Sequence, residues 1–284
     1  MNNQSVAGEH GISGYWLKMI AVITMLIDHS AATILERILV QMPSWAPVTV
    51  DNCEQWYRLD LLLRGIGRMA FPIYCFLLVE GFHYTHSRRK YAARMFVFAL
   101  ISEVPFDMAL NQSVLELSYN NVFFTLFLGL LVIMAATASA ISFNVIFLSS
   151  LCQSAFIIVH SASLIEICLF IISLSSFFTL LVVIGMVGCA LASYVISCDY
   201  GASGVIAIYI MYLLRSKREL GFALAVVSLG VFSGELELLA LLMLIPLHFY
   251  NGTRGKQHKY FFYAFYPLHL LLLALIAWGL GLGI

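Results

Sequence analysis

The chain has 284 residues, of which 62% are hydrophobic and 11% charged, and its formal net charge is zero. Soluble domains are about 45–50% apolar and about 25% charged, so this composition excludes an ordinary soluble domain. The zero net charge removes the electrostatic basis for binding nucleic acid. We therefore predict a single all-α, polytopic membrane domain over residues 1–284.

Long apolar runs predict a bundle of membrane-crossing helices. A crossing helix needs about 20 mainly apolar residues, and fewer where the segment is buried. We predict about eleven crossings, with ten as the alternative count. Assignment is hardest between Asn121 and Ser197, where Glu166 is the only Asp, Glu, Lys or Arg residue. The predicted crossings are residues 15–38, 60–83, 91–110, 121–138, 142–160, 162–179, 181–198, 202–215, 219–233, 235–250 and 260–281.

Basic loops set the predicted orientation, because lysine and arginine accumulate in cytoplasmic loops. The N-terminus and the three basic loops are therefore predicted to be cytoplasmic. The chain is then inside at both Lys90 and Arg215, which requires an even number of crossings between residues 121 and 198. Four short helices fill that tract better than two, and the C-terminus is predicted outside. The basic loops are residues 88–94, 215–218 and 254–259.

The six cysteines give no sign of a metal site. None shows the CxxC spacing of a metal or redox motif. Four lie inside apolar runs, where a thiol usually acts as a small hydrophobic side chain. Cys53 and Cys198 lie at the predicted outer surface, where a disulfide between them is one alternative.

Ionisable residues inside the predicted spans mark a candidate site. Charged groups at membrane depth are costly and normally face a bundle interior or a water-filled cavity. Paired contacts between helices explain any one such residue equally well, but several at one level favour a polar site. The groups that reach a similar depth are Asp28, His29, Arg68, Glu103 and His269.

Lys18 and His29 lie eleven residues apart in the first predicted span. At about 100° and 1.5 Å per residue they return to nearly the same helix face, with a rise of roughly 16 Å between them. A basic group at the headgroup level and an imidazole at depth suit a donor with a phosphate head and a long narrow arm, which is the shape of coenzyme A. A lysine that snorkels at the start of a helix is the simpler alternative.

Asp28, Arg64 and Arg68 are expected near His29. Asp28 and His29 are adjacent, so on a helix they point about 100° apart and cannot pair directly. We predict a buried pair between Asp28 and Arg68, and an orienting partner for His29 from another span. Arg64 and Arg68 share a face, which fits ligand binding as well as it fits an outer-leaflet anchor plus an ion pair. Residues 199–201 lie at an outer boundary, where a simple turn is an equal explanation.

Several long segments resemble the TraX family of membrane proteins, which is related to the broader transmembrane acyltransferases. They run from the first span to the last, although residues 132–198 contribute hydrophobicity alone. The segments are LKMIAVITMLIDH (17–29), LRGIGRMAFPIYCFLLVEGFHYTHSRRKYAARMFVFALISEVPFD (63–107), NVFFTLFLGLL (121–131), DYGASGV (199–205), YNGTRGK (250–256) and KYFFYAFYPLHLLLL (259–273).

The resemblance implies acetyl transfer. Members of the family are associated with N-terminal acetylation of a conjugative pilin, and acetyl-CoA is the implied donor. Related acyltransferases carry a basic residue and a histidine separated by ten residues in the first span, a pattern that falls here on Lys18 and His29. The acceptor does not carry over, because the family is broad.

We therefore predict an acetyl-CoA-dependent acyltransferase of the bacterial cytoplasmic membrane. Its acceptor is an amine or hydroxyl in the envelope, on a peptide N-terminus, a pilin-like protein, a lipid or a glycan. His29 is the predicted general base, Asp28 belongs to the same catalytic group, and His269 and Glu103 orient His29 or shuttle its proton. Candidate binding residues for the coenzyme, each also explained by topology or ion pairing, are Lys18, Arg64, Arg68, Arg88, Arg89, Arg94 and Lys256.

Two other classes of function use the same features. A proton-coupled transporter would use the buried Asp, Glu and His residues as relay groups, and an envelope scaffold would need no chemistry. The enzyme needs acetyl-CoA or another acyl-CoA as a partner besides membrane lipids, and the rivals do not.

Overall fold

The computed structural model describes residues 11–157, 183–185, 187–189, 191–193, 197–256 and 258–283, with the side chains of all of these except 140–157 and 259. Within these ranges the chain is helical, and its extended contacts are two isolated bridges, Ile12 with Tyr250 and Asn120 with Cys198. The α-helices are α1 Gly14–Gln41, α2 Cys53–Gly67, α3 Ala70–Tyr84, α4 Arg88–Phe106, α5 Val122–Ile157, α6 Gly201–Leu213, α7 Arg218–Ser233, α8 Leu244–His248 and α9 Lys259–Gly279.

Four stretches of the described chain are long and apolar enough to cross a membrane. They bear out the helical membrane class, but they do not confirm the predicted count of eleven crossings. The predicted crossing at 162–179 and part of that at 181–198 lie outside the described residues, as does Glu166. The four stretches are Gly14–Gln41, Cys53–Tyr84, Val122–Ser139 and Tyr260–Gly279.

The predicted break between crossings 121–138 and 142–160 is wrong. Helix α5 continues through residues 139–141 and reaches Ile157. The sequence explains this continuity, because residues 131–157 contain neither glycine nor proline and residues 135–140 are rich in alanine, the strongest helix former.

The backbone pairs the two ends of the difficult central tract. The amide of Asn120 donates to the carbonyl of Ser197 at 3.0 Å, and the amide of Asp199 donates to the carbonyl of Asn120 at 2.8 Å. Residues 120 and 198 therefore lie side by side at the same end of the described helices.

The basic loops gather at one end of the molecule, which we call the basic end. The side chains of Arg215 and Arg254 both lie over Tyr84 at the end of α3. The amide of Ile12, just before α1, donates to the carbonyl of Phe249 at 2.8 Å, so the start of α1 is at this end too. The C-terminal Gly283 is at the opposite end, where its carbonyl accepts a hydrogen bond from Arg37.

Arg37 ties together the end opposite the basic loops. Its buried guanidinium donates to the carbonyls of Gly283 at 3.0 Å, Met108 at 3.1 Å and Ala109 at 2.6 Å. These bonds join the end of α1 to the π-helical turn Asp107–Asn111 and to the residues after α9. The alternative disulfide is not formed at this end, because Cys53 and Cys198 are free thiols.

A close approach between α1 and α2 positions the candidate site. At Gly67 an added Cβ would overlap the side chain of Asp28 on α1. Helix α1 also contains a π-helical turn at Ala31–Leu35, directly after His29. Single π-turns inside α-helices often occur at functional sites. The sequence 28–35 thus combines a tight helix contact with an irregular turn beside the predicted catalytic residues.

Candidate active site

Two imidazoles from the first and last helices are in direct contact. Nδ1 of His29 on α1 lies 2.7 Å from Nε2 of His269 on α9. The rings are stacked, with centroids 5.0 Å apart and planes 8° from parallel. His269 is buried, and its Nδ1 lies 2.7 Å from the backbone carbonyl of Phe265. His269 is therefore the partner from another span that His29 requires.

The hydrogen bonds fix which nitrogen of each ring carries a proton. A carbonyl oxygen only accepts, so Nδ1 of His269 must be the protonated donor to Phe265. Burial favours the neutral imidazole, so Nε2 of His269 is unprotonated and accepts from Nδ1 of His29. His29 is neutral for the same reason, and its one ring proton is on Nδ1, so its Nε2 is unprotonated and can accept a proton. The relay from Phe265 through His269 thus prepares His29 as a base.

Aromatic rings surround the two imidazoles. Tyr266 meets His29 edge to face at a centroid distance of 6.0 Å and His269 at 5.7 Å. Phe265 stacks on His269 at 4.6 Å. Our sequence interpretation did not single out Tyr266, although its position three residues before His269 places it on the same helix face. These rings hold both imidazoles in one orientation.

The partner of Asp28 differs from the prediction. Oδ1 of Asp28 lies 2.8 Å from Nη1 of Arg64, so the predicted pair between Asp28 and Arg68 is wrong. Nε of Arg64 also lies 3.1 Å from Glu36 on the same helix as Asp28. The reason is that Arg64 lies on the face of α2 that packs against α1, whereas Arg68 follows the last residue of that helix. Arg64 thus links two carboxylates of α1.

Arg68 belongs to a second set of contacts. Its Nη1 lies 3.3 Å from Oε1 of Glu237, in the 3₁₀ helix Glu235–Met243, and 3.4 Å from the hydroxyl of Tyr200. Tyr200 stacks on Phe71 at a centroid distance of 3.7 Å. The turn at residues 199–201 therefore reaches into the buried site. Both arginines are within electrostatic range of His29.

Asp199 extends this network towards the loop after α4. Its Oδ1 accepts a hydrogen bond of 2.8 Å from the hydroxyl of Tyr119, and its carbonyl accepts one from Thr125. Sequence reasoning missed Tyr119 and Glu237, and it considered Tyr200 only within the segment 199–201, for which a simple turn was an equal explanation. An acidic residue near the start of a predicted span was the only signal available for Glu237.

Glu103 is buried but bonds elsewhere. Its Oε2 accepts hydrogen bonds from the backbone amide of Asn121, at 3.3 Å, and from the Asn121 side chain. Among the contacts of the described residues, Glu103 forms no hydrogen bond with either imidazole. Glu103 thus joins α4 to the start of α5, and the direct contact to His29 comes from His269.

At the basic end the structure brings the start of α1 against the loop that carries Arg254. The amide of Gly14, one helical turn before Lys18, donates to the carbonyl of Thr253 at 2.8 Å. Nζ of Lys18 lies over the ring of Phe262 at 5.3 Å. Arg88 and Arg94 each lie over an aromatic ring, those of Phe82 and Tyr91. The remaining two predicted contacts, Arg89 and Lys256, are exposed. Arg254 entered the sequence interpretation only as a topology signal.

Metal binding has no support in the described ranges, where no group of three or more His, Cys, Asp and Glu side chains could hold an ion. The arrangement suits proton transfer at His29 within a fixed polar network, with a cationic surface at the other end of the same helix.

The family comparison covers nearly the whole chain, with the profile of the family described as TraX protein matching residues 13–277. A probable fimbrial assembly protein FimC, serogroup H1, from Dichelobacter nodosus is 34% identical over 129 residues, which are 43% of this chain and 46% of that protein. The matched part is therefore about half the length of this curated relative. No solved structure matches. With a family match that includes both the His29–His269 pair and the basic end, the chain belongs to the TraX family.

Proposed function

We propose that this protein is an acetyl-CoA-dependent acetyltransferase of the bacterial cytoplasmic membrane. The observation that carries the proposal is the relay from the Phe265 carbonyl through His269, which leaves Nε2 of His29 unprotonated inside a buried network. A neutral imidazole held in one tautomer is well suited to general base catalysis near pH 7.

The reaction needs only proton transfer and acyl transfer. Nε2 of His29 takes the proton from an acceptor amine or hydroxyl as that group attacks the thioester carbonyl. The carbon–sulfur bond breaks, and the thiolate of coenzyme A takes the proton back from the His29 imidazolium. The products are the acetylated acceptor and free coenzyme A. His269 accepts the hydrogen bond from Nδ1 of His29 throughout, which stabilises the transient imidazolium.

The position of Lys18 favours an acetyl-CoA donor that enters from the basic end. Lys18 lies on the same helix as His29, about 16 Å away along the axis at 1.5 Å per residue. The thioester would reach His29 while the phosphates remain near Lys18. Arg64 and Arg68 already contact carboxylates, so we assign them to stabilising the ion-pair network. We place the other predicted basic contacts on the side of the membrane where the coenzyme phosphates bind. These are the exposed Arg88, Arg89 and Lys256 and the half-buried Arg94.

The acceptor is proposed to be an envelope protein. The name of the FimC relative describes fimbrial assembly, and the TraX resemblance implies a pilin as the acetylated protein. An N-terminal amine of a pilin-like protein is therefore the first acceptor to test, with a lipid or glycan hydroxyl as the next.

The orientation is part of the proposal. We place the basic end and the N-terminus in the cytoplasm and the C-terminus outside. Reporters fused after Arg89 and after Arg218 should read as cytoplasmic, and one fused after residue 284 as external. A cytoplasmic signal from the C-terminal fusion would contradict this orientation.

Transfer of isotopically labelled acetyl groups tests the activity. Purified wild-type protein in lipid nanodiscs is incubated with acetyl-CoA and envelope acceptors, and the products are identified by mass spectrometry. We expect a labelled acceptor with wild type and none above background with His29→Ala. The matched control is His248→Ala, because that histidine is exposed and contacts only Glu219 among the hydrogen bonds of the described chain. Equal product from His29→Ala and wild type would refute the role of His29. Absence of any product, with proton-linked uptake instead, would favour a transporter.

The tautomer can be measured without turnover. In protein labelled with ¹⁵N-histidine, the ring nitrogens of His29 should show a protonated Nδ1 and an unprotonated Nε2 by nuclear magnetic resonance. His269→Phe should remove this preference, because Nδ1 of His29 loses its acceptor. The reverse tautomer in wild type would contradict the relay.

A further inference from the structure

The aromatic ring of Tyr84 organises two cations at the basic end. The guanidinium of Arg254 lies 5.5 Å from the ring centroid and that of Arg215 lies 5.7 Å from it. Nη2 of Arg254 also donates to the backbone carbonyl of Tyr84 at 3.0 Å. Tyr84 and Arg254 are both exposed, so the platform is open to a ligand.

This surface collects positive charge without matching negative charge. Gly14, one helical turn before Lys18, packs against Arg254, since an added Cβ at Gly14 would lie 3.8 Å from Cα of Arg254. Arg218 lies over the ring of Tyr250 at 5.6 Å. Among the ion pairs of the described residues, Arg215 has the partner Glu80 at 3.0 Å, whereas Lys18, Arg218 and Arg254 have none. Glu219 is nearby in sequence but pairs with His248. The fold therefore holds like charges together in a way that a bound anion would stabilise.

Arginine on an aromatic face remains able to bind an anion. Cation–π contact uses the face of the guanidinium and stabilises its position. The N–H groups point outward in the plane, where they match the oxygens of a phosphate. Carboxylate pairing would instead use up those donors. Contact with Tyr84 thus fixes Arg254 in place and leaves donors free.

We infer that Arg254 and Lys18, supported by Tyr84, form a binding site for the phosphate groups of a nucleotide. The inference rests on the proposed function in one respect, since such a site would bind the nucleotide end of the acetyl donor. It goes beyond it by assigning the phosphates to Arg254, which the sequence interpretation had not treated as a ligand contact. Arg88, Arg89, Arg94 and Lys256, which we place on the same side of the membrane as the phosphates, are not part of this site.

Direct binding of adenosine 3′,5′-bisphosphate tests the site without any reaction. The full-length protein is placed in nanodiscs of neutral phosphatidylcholine, and binding is measured by isothermal titration calorimetry. Loss of one charge-assisted contact weakens binding by roughly tenfold or more, so we expect this for Arg254→Gln and Lys18→Gln. Arg58→Gln is the matched control, because Arg58 is an exposed arginine remote from the basic end and paired with Glu54. Its dissociation constant should equal that of wild type.

Further variants keep the test decisive where Arg254→Gln fails to fold. Tyr84→Leu retains both charges but removes the ring, and we expect it to weaken binding by a smaller factor than Arg254→Gln. Unchanged binding in Lys18→Gln and Tyr84→Leu would overturn the site. Wild type that does not bind the bisphosphate would overturn the inference. If wild type also retains anionic phosphatidylglycerol and Arg254→Gln loses it, the surface binds lipid headgroups instead.

A comparison of two donors separates this inference from the proposed function. S-acetylpantetheine carries the thioester and the arm but no phosphate. Arg254→Gln should raise KM for acetyl-CoA about tenfold and leave KM for S-acetylpantetheine unchanged. Equal effects on the two donors would overturn the phosphate assignment. No transfer from either donor, with bisphosphate binding intact, would refute the acetyltransferase while the site stands.

Discussion

The partly buried ion pairs around Arg64 and the open surface around Arg254 use arginine in opposite ways. Arg64 lies 2.8 Å from Asp28 and 3.1 Å from Glu36, so its charge is offset within the protein. Arg254 contacts the ring and carbonyl of Tyr84 and shares that ring with Arg215. Paired charges fix a geometry, whereas charges held on aromatic rings remain available to a ligand. Mutations in the first region should therefore change stability, and mutations in the second should change binding.

Arg64→Ala should give the largest loss of stability. It leaves Asp28 and Glu36 without their partner. Because Arg64 is partly exposed and Glu36 is nearly half exposed, we expect a loss of about 3 kcal/mol, the lower end of the range for buried pairs. Asp28→Asn should cost less, because Arg64 keeps its contact with Glu36. Denaturant titration in detergent micelles measures both. A smaller loss for Arg64→Ala than for Asp28→Asn would show that the network is not held by Arg64.

Gly67→Ala should destabilise the protein by an intermediate amount. An added methyl group would overlap Asp28, and overpacking of this kind costs about 1–3 kcal/mol. Gly279→Ala is the matched control in α9, since a Cβ there meets nothing within 4 Å. The same denaturant titration applies, and equal stability of the two variants would mean that α1 and α2 separate easily.

Arg254→Gln should have little effect on stability. Its side chain is exposed and has no carboxylate partner in the described part of the chain, so we expect a loss below about 1 kcal/mol, together with the weaker nucleotide binding described above. A loss comparable to that of Arg64→Ala would mean that the basic end is structural, and the contrast between the regions would disappear.

Arg58→Ala should have the smallest effect. Its pair with Glu54 at 2.7 Å is exposed and spans one helical turn, a type worth about 0.3–0.5 kcal/mol. The difference from wild type should also shrink at high salt. A loss that persists in molar salt would indicate a contact other than the ion pair.

Much of the helical pattern followed from the sequence. The bounds of α6, α7 and α9 lie within a few residues of the predicted crossings, because glycines, serines or basic residues punctuate those segments. The break inside α5 was wrong because hydrophobicity alone carries no end signal there. The 3₁₀ helix Glu235–Met243 was also beyond prediction, since its residues fit an α-helical pattern equally well.

Contacts between helices were harder to predict than the residues that make them. Spacing identified Lys18 and His29, and depth brought in His269. Spacing could not choose between Arg64 and Arg68, because residues four apart share a face of a continuous helix. In the structure α2 ends at Gly67, before Arg68. Arg254 escaped notice because a basic loop residue is ordinarily explained by topology.

Steady-state kinetics of Lys18→Ala and His29→Ala test the central claim most directly. With His29 as the general base, His29→Ala should lower kcat by about 10²–10⁴-fold while acetyl-CoA still binds. Lys18→Ala should raise KM for acetyl-CoA and leave kcat near that of wild type at saturating donor. A kcat for His29→Ala close to wild type, in a folded protein that makes acetylated acceptor, would contradict the account.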